Sequence, residues 1–355
     1  MLSERRKGLA EPLRLPVEQA IAEEHSVARD TVRRALKLLE DRGAVTRRRG
    51  LGTFLQPLRA PLASLRGATV GFVPPWWVDS SGGTGASFTS NVLEGVSRWA
   101  DTQRCQLAVL HAKYDVGEFD KWLNEARERS LAGVIWVHPQ LRQLPLVERC
   151  AKHVPSIVLG RHYPGRQLHH VTPDYAQAAQ LVDDHLVAHG HDIYTPVVLD
   201  QMETYNRDWI EGIQAAQERR GQQFNSHYQL LDIKGFDRDK LATMLQEFYE
   251  PVHPTVHAFV LPTSSLLVPL LADERFRGRL RAGEVSVITM DFGVYPIGAY
   301  WTGHTVDHIA CDWVAMGRRA MENLALLVAG HPVPELLREP VSLVTGETVH
   351  RMEHD

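Results

Sequence analysis

The chain has 355 residues with a net charge of −4, and 44% of the residues are hydrophobic and 23% are charged. This composition excludes a largely disordered chain, and the length predicts two or three domains rather than one. There is no apolar run of about eighteen residues and no signal-peptide pattern near the start, so a cytoplasmic protein without a membrane partner is expected.

The charge is unevenly distributed along the chain. Residues 1–60 hold 13 Lys and Arg against 8 Asp and Glu, a net charge of +5. The remaining residues hold 26 basic and 35 acidic side chains, a net charge of −9. A basic segment on an acidic body indicates a polyanion as the partner of the first part only.

Two helices and a hairpin are predicted in this basic segment. Leu15-Pro16 marks a helix start before residues 17–24, and a second helix is predicted over residues 28–42. The second helix carries apolar residues on one face and basic residues on the other, the latter being Arg29, Arg33, Arg34 and Lys37. A basic tip between two short strands then predicts a hairpin over residues 44–55.

The stretch LPVEQAIAEEHSVARDTVRRALKLLEDRGAVTRRRGLGTF resembles the winged helix-turn-helix of GntR-family transcription regulators. The resemblance implies that a recognition helix and a wing contact double-stranded DNA through Arg29, Thr31, Arg33, Arg47, Arg48, Arg49, Gly50 and Gly52. The family's first helix would precede Leu15, where only fourteen residues stand, so the expectation is either that this helix is truncated or that the winged domain is incompletely packed. We therefore expect a DNA-binding domain over residues 1–55.

Residues 56–67 contain two prolines and no periodicity, which predicts a linker. Beyond the linker, apolar strand patterns alternate with amphipathic helix patterns to the end of the chain. Such βα units predict parallel sheets with helices on both faces, in an α/β fold that binds ligands at the carboxyl ends of the strands.

Segments of this body resemble the effector domain of LacI/GalR regulators, among them SFTSNVLEGVSRWADTQRCQLAVL and PDYAQAAQLVDDHLVAHGHDIYTPVVL. The resemblance implies a fold like that of the periplasmic sugar-binding proteins over residues 68–349, with three crossovers between two subdomains. Subdomain one would comprise residues 68–171 and 301–329, and subdomain two residues 172–300 and 330–349. A GntR-type reader joined to such a body resembles the arabinose repressors.

The same resemblance implies an effector, a sugar or sugar derivative, bound between the two subdomains. The expected contact residues are Trp76, Trp77, Phe88, Asp174, Arg207, Thr263 and Asp291. Carboxylates accept strong hydrogen bonds from sugar hydroxyls, and aromatic faces pack on sugar rings. Trp209 stands where the family usually has its ligand arginine, and Arg207 lies two residues earlier.

Other chemistry is poorly supported by the sequence. His185, His189 and His191 have metal-like spacing, but they match ordinary positions of the LacI-type pattern, and no metal or cofactor is expected. The three cysteines form no CxxC pair, so neither a disulfide framework nor a zinc site is indicated. The sequence contains no GxSxG, HExxH or P-loop pattern, so an enzyme is not expected.

These patterns predict a ligand-responsive transcription regulator, expected to be a repressor of carbohydrate genes and a homodimer. The alternative is a cytoplasmic solute-binding or sugar-processing protein whose basic N-terminus is incidental. The lack of an export signal disfavours a solute-binding protein, and the lack of catalytic motifs disfavours an enzyme.

Overall fold

The structure is a computed structural model that describes residues 13–25, 27–41, 45–48, 52–55, 65–75, 86–110, 119–198, 204–224, 231–233, 240–253, 255–290, 301 and 304–352. No helix in these ranges is both long and apolar enough to cross a membrane.

The N-terminal unit contains two helices and a small antiparallel sheet. Its helices are α1 (Glu18–Glu24) and α2 (Arg29–Asp41). Its strands pair in the order β1-β3-β2, with bounds β1 (Leu13–Arg14), β2 (Val45–Arg48) and β3 (Gly52–Leu55). Ala22, Val32 and Leu36 are buried between the helices, which confirms the predicted helix-turn-helix and hairpin.

The first sheet of the body has six strands, and every strand pair in it is parallel. In chain order its strands are β4 (Thr69–Val73), β5 (Gln106–Val109), β6 (Leu131–Val137), β7 (Ser156–Leu159), β8 (His169–Pro173) and β14 (Leu336–Glu339). Between them run α3 (Ala86–Gln103), α4 (Phe119–Glu128) and α5 (Leu144–Ala151). The buried side chains on one face include Trp122, Val134 and Trp136, which form a core.

The second sheet also has six strands, which are parallel except at the β13–β15 pair. They are β9 (Thr195–Val198), β10 (Leu231–Asp232), β11 (Ala258–Leu261), β12 (Ser286–Met290), β13 (His308–Cys311) and β15 (Val341–Val344). The helices around it are α6 (Tyr175–Ala188), α7 (Thr204–Arg219), α8 (Leu241–Thr243) with a π-helix over Met244–Tyr249, α9 (Leu267–Ala272) and α10 (Glu274–Arg281).

Both faces of the second sheet are covered by apolar side chains. Along β11, Phe259 and Leu261 belong to one buried core, whereas Ala258 and Val260 belong to the other. Successive strand residues point to opposite faces, so an uninterrupted apolar run is what a strand buried on both sides requires. The predicted α/β class with parallel sheets is confirmed.

The chain passes between the two sheets three times, as the predicted fold implies. It leaves the first sheet after β8 and enters α6, whose Tyr175 lies in a core of the second sheet. It returns after β13 through α11 (Trp313–Val328), whose Leu324 lies against Gly133 of β6. The last passage separates β14 from β15 at Pro340.

These passages fall elsewhere than the expected subdomain boundaries. Residues 301–329 were expected in subdomain one, but Trp301 lies in a core of the second sheet and β13 pairs with β12. Residues 330–349 were expected in subdomain two, but β14 pairs with β8 in the first sheet. Both strands are only partly buried, so neither has the apolar run that would have marked it in the sequence.

Candidate functional site

Exposed positions of α2 carry the residues expected to contact DNA. Arg29 and Arg33 have 58% and 52% of their side chains exposed, and Thr31 is also exposed. Val32 and Leu36 point into the core between α1 and α2. At 3.6 residues per turn, Arg29 and Arg33 flank this buried stripe, whereas Thr31 lies on the other side of the helix. The arrangement is that of a helix able to enter the major groove of DNA.

Glu18, the first residue of α1, contacts both arginines. Its Oε2 atom lies 3.4 Å from Nε of Arg29 and 3.4 Å from Nε of Arg33. Arg33 also approaches Asp30, with 3.4 Å between Nη1 and Oδ1. Nothing in the linear pattern joins residue 18 to residues 29 and 33, so the sequence alone does not mark Glu18 as a site residue.

The hairpin brings further basic residues together. Arg47 and Arg48 lie on β2, where Arg48 pairs with Gly52 of β3, and Arg49 and Gly50 lie outside the described residues. Gly52 has a φ of +110°, which favours glycine, and a Cβ there would lie 3.3 Å from Nε of Arg14. Arg14 on β1 is therefore a further basic residue near the hairpin, which sequence reasoning missed.

In the body, an aromatic cluster lies where strands of the first sheet end. Phe88 of α3 packs edge-on against His138, which follows β6, and against Trp313 of α11, with ring centroids 5.0 Å and 4.6 Å away. Burial holds the pKa of His138 well below its usual range, and the nearby positive Arg161 lowers it further. A neutral imidazole thus forms part of this apolar wall.

Gly160, directly after β7, makes room for the His138 ring. A Cβ atom at residue 160 would overlap the imidazole, and the glycine has a φ of +87°. Its carbonyl oxygen accepts a hydrogen bond from the hydroxyl of Tyr175, 3.1 Å away, at the start of α6. This bond joins an end of the first sheet to the first helix of the second subdomain.

A second contact between the two subdomains involves His162 and Asp208. His162 Nδ1 in the loop after β7 lies 3.6 Å from Oδ2 of Asp208 on α7, and both side chains are largely but not fully buried. Buried Arg161 precedes this histidine, and exposed Arg207 precedes the aspartate. The contact between His162 and Asp208 therefore joins segments of different subdomains.

His170 on β8 lies beside His162, with ring centroids 5.2 Å apart. Its Nε2 accepts a hydrogen bond from the backbone N–H of Tyr163 (3.3 Å), and its Nδ1 lies 3.0 Å from the carbonyl oxygen of Glu335. Both contacts are satisfied by a neutral ring that donates from Nδ1. Burial is the main reason that the pKa of His170 is lowered to about 4.

The expected effector residues have different environments. Phe88 is buried in the aromatic cluster, and Thr263, two residues after β11, is buried at an end of the second sheet. Asp174 caps α6, because its Oδ1 accepts a hydrogen bond from the backbone N–H of Gln177 at 3.0 Å. Trp76, Trp77 and Asp291 lie outside the described residues.

Trp209, at the position of the ligand arginine in the LacI-type pattern, is buried in a core of the second sheet. The two residues that directly precede Trp209 on α7 are charged. Arg207 is exposed, and Asp208 makes the contact with His162.

The histidines with metal-like spacing are engaged by protein atoms. His185 Nε2 lies 2.9 Å from Oδ1 of Asp307, and His189 Nδ1 lies 2.8 Å from the carbonyl oxygen of His185. His191 Nε2 lies 2.8 Å from the carbonyl oxygen of His350. Across the described part of the chain, no group of three metal-ligating side chains is arranged to hold an ion.

Comparison with known proteins gives a family match for the N-terminal unit and fold matches for most of the chain. Residues 8–55 match the family described as bacterial regulatory proteins, gntR family. No curated protein matches the chain.

Solved structures match most of the chain. The transcription regulator CcpA of Lactococcus lactis is 16% identical, with a TM-score of 0.64 over 79% of this chain and 99% of that chain. A complex of the transcriptional regulator CelR with cellobiose is 17% identical, with a TM-score of 0.65 over 94% of this chain and 100% of that chain.

The lac repressor dimer bound to operator and the anti-inducer ONPF is also similar. It is 16% identical, with a TM-score of 0.63 over 79% of this chain and 94% of that chain. The chain therefore joins a GntR-type helix-turn-helix domain to a body with the fold of LacI-type regulators.

Proposed function

We propose that this protein is a transcription regulator whose affinity for operator DNA is set by a small molecule bound to its body. The observation that carries the proposal is the joining of a GntR-type domain, with its basic α2 face, to a LacI-type fold. The first part has the chemistry to bind a polyanion. The second has two mainly parallel sheets, and α/β proteins bind ligands at the carboxyl ends of such strands.

The proposed effector is a sugar or sugar derivative bound between the subdomains. The aromatic cluster of Phe88, His138 and Trp313 supplies an apolar wall, and Arg207 and Asp208 supply polar groups from the other subdomain. The similar CelR structure holds cellobiose, which supports this class of ligand. Asp174, Thr263, Asp291, Trp76 and Trp77 remain proposed contacts.

We also propose that the protein is cytoplasmic, that it represses transcription as a homodimer and that it has no catalytic role. A twofold pair of reading heads matches a palindromic operator, and the similar lac repressor structure is a dimer on operator DNA. Sedimentation of the full chain at micromolar concentration is expected to give a dimer. A monomer under these conditions would contradict the proposed assembly.

The ligand class can be tested by thermal-shift screening of the full chain against pentoses, hexoses, uronates and nucleosides. A ligand that binds only the folded state raises its stability in proportion to the logarithm of its concentration. We expect one sugar class to raise the melting temperature in this way. If none of the sugars shifts it and a nucleoside does, the regulator proposal survives but the sugar assignment fails.

Replacing Arg33 with alanine is expected to weaken operator binding by about 1–3 kcal/mol, the usual range for an arginine that reads a base edge. Arg98→Ala is the matched control, because Arg98 is also exposed and ion-paired but lies on α3 of the body. Fluorescence anisotropy with a labelled operator measures both variants. Equal losses in the two variants would indicate a general charge effect and contradict the role of α2.

Replacing Asp291 with alanine is expected to raise the sugar concentration needed for the thermal shift by roughly 5–150-fold. The residue directly follows β12, so the proposal places its carboxylate at a strand end where it would accept sugar hydroxyl hydrogen bonds. Removing the acceptor leaves a hydroxyl unpaired at a cost of about 1–3 kcal/mol. Asp184→Ala, an exposed change on α6, is the control, and an unchanged sugar response in Asp291→Ala would refute this contact.

A further inference from the structure

The shared contact of Glu18 with Arg29 and Arg33 is unusual for a surface expected to bind DNA. One carboxylate oxygen faces the Nε atoms of two guanidinium groups, each at 3.4 Å. The Glu18 side chain is 18% exposed, whereas both arginines are more than half exposed. A negative charge therefore lies in contact with two exposed arginines of α2.

Stability gives little reason for this arrangement. Ion pairs between exposed side chains contribute little, because water and salt screen them and two long side chains lose rotamer freedom. A carboxylate next to a DNA-binding face also repels phosphates and lowers the affinity for DNA of any sequence. We therefore consider how Glu18 affects the orientation of the Arg29 and Arg33 side chains.

The geometry of the contact supports an orienting effect. Arg29 and Arg33 lie one helical turn apart on α2, and both approach Glu18 through Nε, the nitrogen nearest the stem. These two contacts with Glu18 involve Nε and not the two Nη groups, although Nη1 of Arg33 also lies 3.4 Å from Oδ1 of Asp30. The planar end of an arginine bonds the O6 and N7 atoms of guanine in pairs.

We propose that Glu18 is a specificity-determining positioning residue, which holds Arg29 and Arg33 in orientations suited to guanine edges and disfavours binding through phosphates alone. This inference rests on the proposed DNA-binding function. It assigns to α1 a part in sequence reading that does not require Glu18 itself to touch a base.

The test compares specific with nonspecific binding in the full chain. A duplex is first selected from a random-sequence pool with the unaltered protein, and a scrambled duplex of the same composition serves as the nonspecific probe. Glu18→Gln keeps the shape of the side chain but removes its charge. We expect the ratio of the two affinities to fall about tenfold, with binding to the scrambled duplex becoming tighter and more salt-dependent.

Glu23→Gln is the matched control. It makes the same change of charge on the same helix, but Glu23 is exposed and accepts a hydrogen bond from Gln19 at 2.8 Å instead of pairing with α2. This variant is expected to keep the affinity ratio of the unaltered protein. An equal fall of the ratio in both variants would show a general charge effect and overturn the inference.

Glu18→Asp provides an independent variant that retains the charge. Its side chain is one methylene shorter, so it is expected to lose the simultaneous contact with both arginines and to lower the ratio in the same direction. If Glu18→Gln does not fold, the affinity ratio of Glu18→Asp tests the positioning role of Glu18 instead. An unchanged ratio in the folded variants, even with a lower melting temperature, would overturn the inference. Failure of the unaltered protein to select any duplex would instead refute the proposed function.

Discussion

Replacing Gly160 with alanine is expected to lower the free energy of unfolding by about 2–4 kcal/mol, since overpacking and a strained backbone each cost on the order of 1–3 kcal/mol. The new methyl group would overlap the imidazole of His138, and the φ of +87° at residue 160 is unfavourable for alanine. His138 cannot retreat easily, because Phe88 packs against its ring. Chemical denaturation of the purified variant measures the loss.

Gly165→Ala separates the two causes of this loss. Gly165 has a similar φ of +72°, but a Cβ there would meet nothing within 4 Å. It should therefore show the backbone cost alone, about 1 kcal/mol. In a protein that already carries His138→Ala, the Gly160→Ala change is expected to lower the free energy of unfolding by less than it does in the unaltered protein, because the imidazole is no longer there to be overlapped. Equal losses at residues 160 and 165 would mean that the His138 ring does not fill the space.

Replacing Asp307 with alanine is expected to cost about 3–5 kcal/mol, the usual loss when one partner of a buried charged network is removed. Its Oδ2 accepts hydrogen bonds from the backbone N–H groups of Thr348 and Val349, at 2.8 Å and 3.0 Å. His185 lies 2.9 Å from Oδ1. These partners are on α6 and on the segment after β15. Loss of their hydrogen bonds to Asp307 would therefore weaken the attachment of both segments in the second subdomain.

The pH dependence of stability provides a second measure of the same network. Burial alone would raise the pKa of Asp307, but the hydrogen bonds from His185 and the backbone lower it to about 2 from the usual 3.8. A lowered carboxylate pKa means that the stabilisation is complete above about pH 4 and is lost as the pH falls towards 2. Asp307→Ala should therefore flatten this part of the acid denaturation profile.

Asp192→Ala is the control for both Asp307 measurements. Asp192 is 59% exposed and lies 3.9 Å from Arg220, which keeps its closer contact with Asp183. Its replacement should change the free energy of unfolding by no more than about 0.5 kcal/mol. A comparable loss in the two variants would show that the Asp307 network adds nothing beyond surface charge.

Local sequence patterns predicted most of the elements, because they depend on neighbouring residues. Apolar periodicity predicts a helix over residues 175–188 and a strand over residues 258–261, and the structure has both with these bounds. It also predicts a helix over residues 91–103, whereas the helix in the structure is Ala86–Gln103, in which Phe88 is held by packing against His138 and Trp313. The patterns failed where tertiary contacts decide the structure.

The candidate sites show the same division between local and tertiary information. The helical period places Arg29 and Arg33 one turn apart on α2, so their closeness to each other could be predicted from the sequence. The contacts of Glu18 with α2, Asp208 with His162, and Gly160 with His138 join residues that are distant in the chain. No spacing rule connects such residues, and only the fold brings them together.

The central claim is that ligand binding in the body controls DNA binding by the N-terminal domain. It is tested most directly by an anisotropy titration of the pool-selected duplex with the full chain, with and without the sugar that gives the largest thermal shift. Allosteric coupling is typically about 1–3 kcal/mol, so we expect the sugar to change the DNA affinity by roughly 5–150-fold. Identical affinities with saturating sugar and without it would contradict the account.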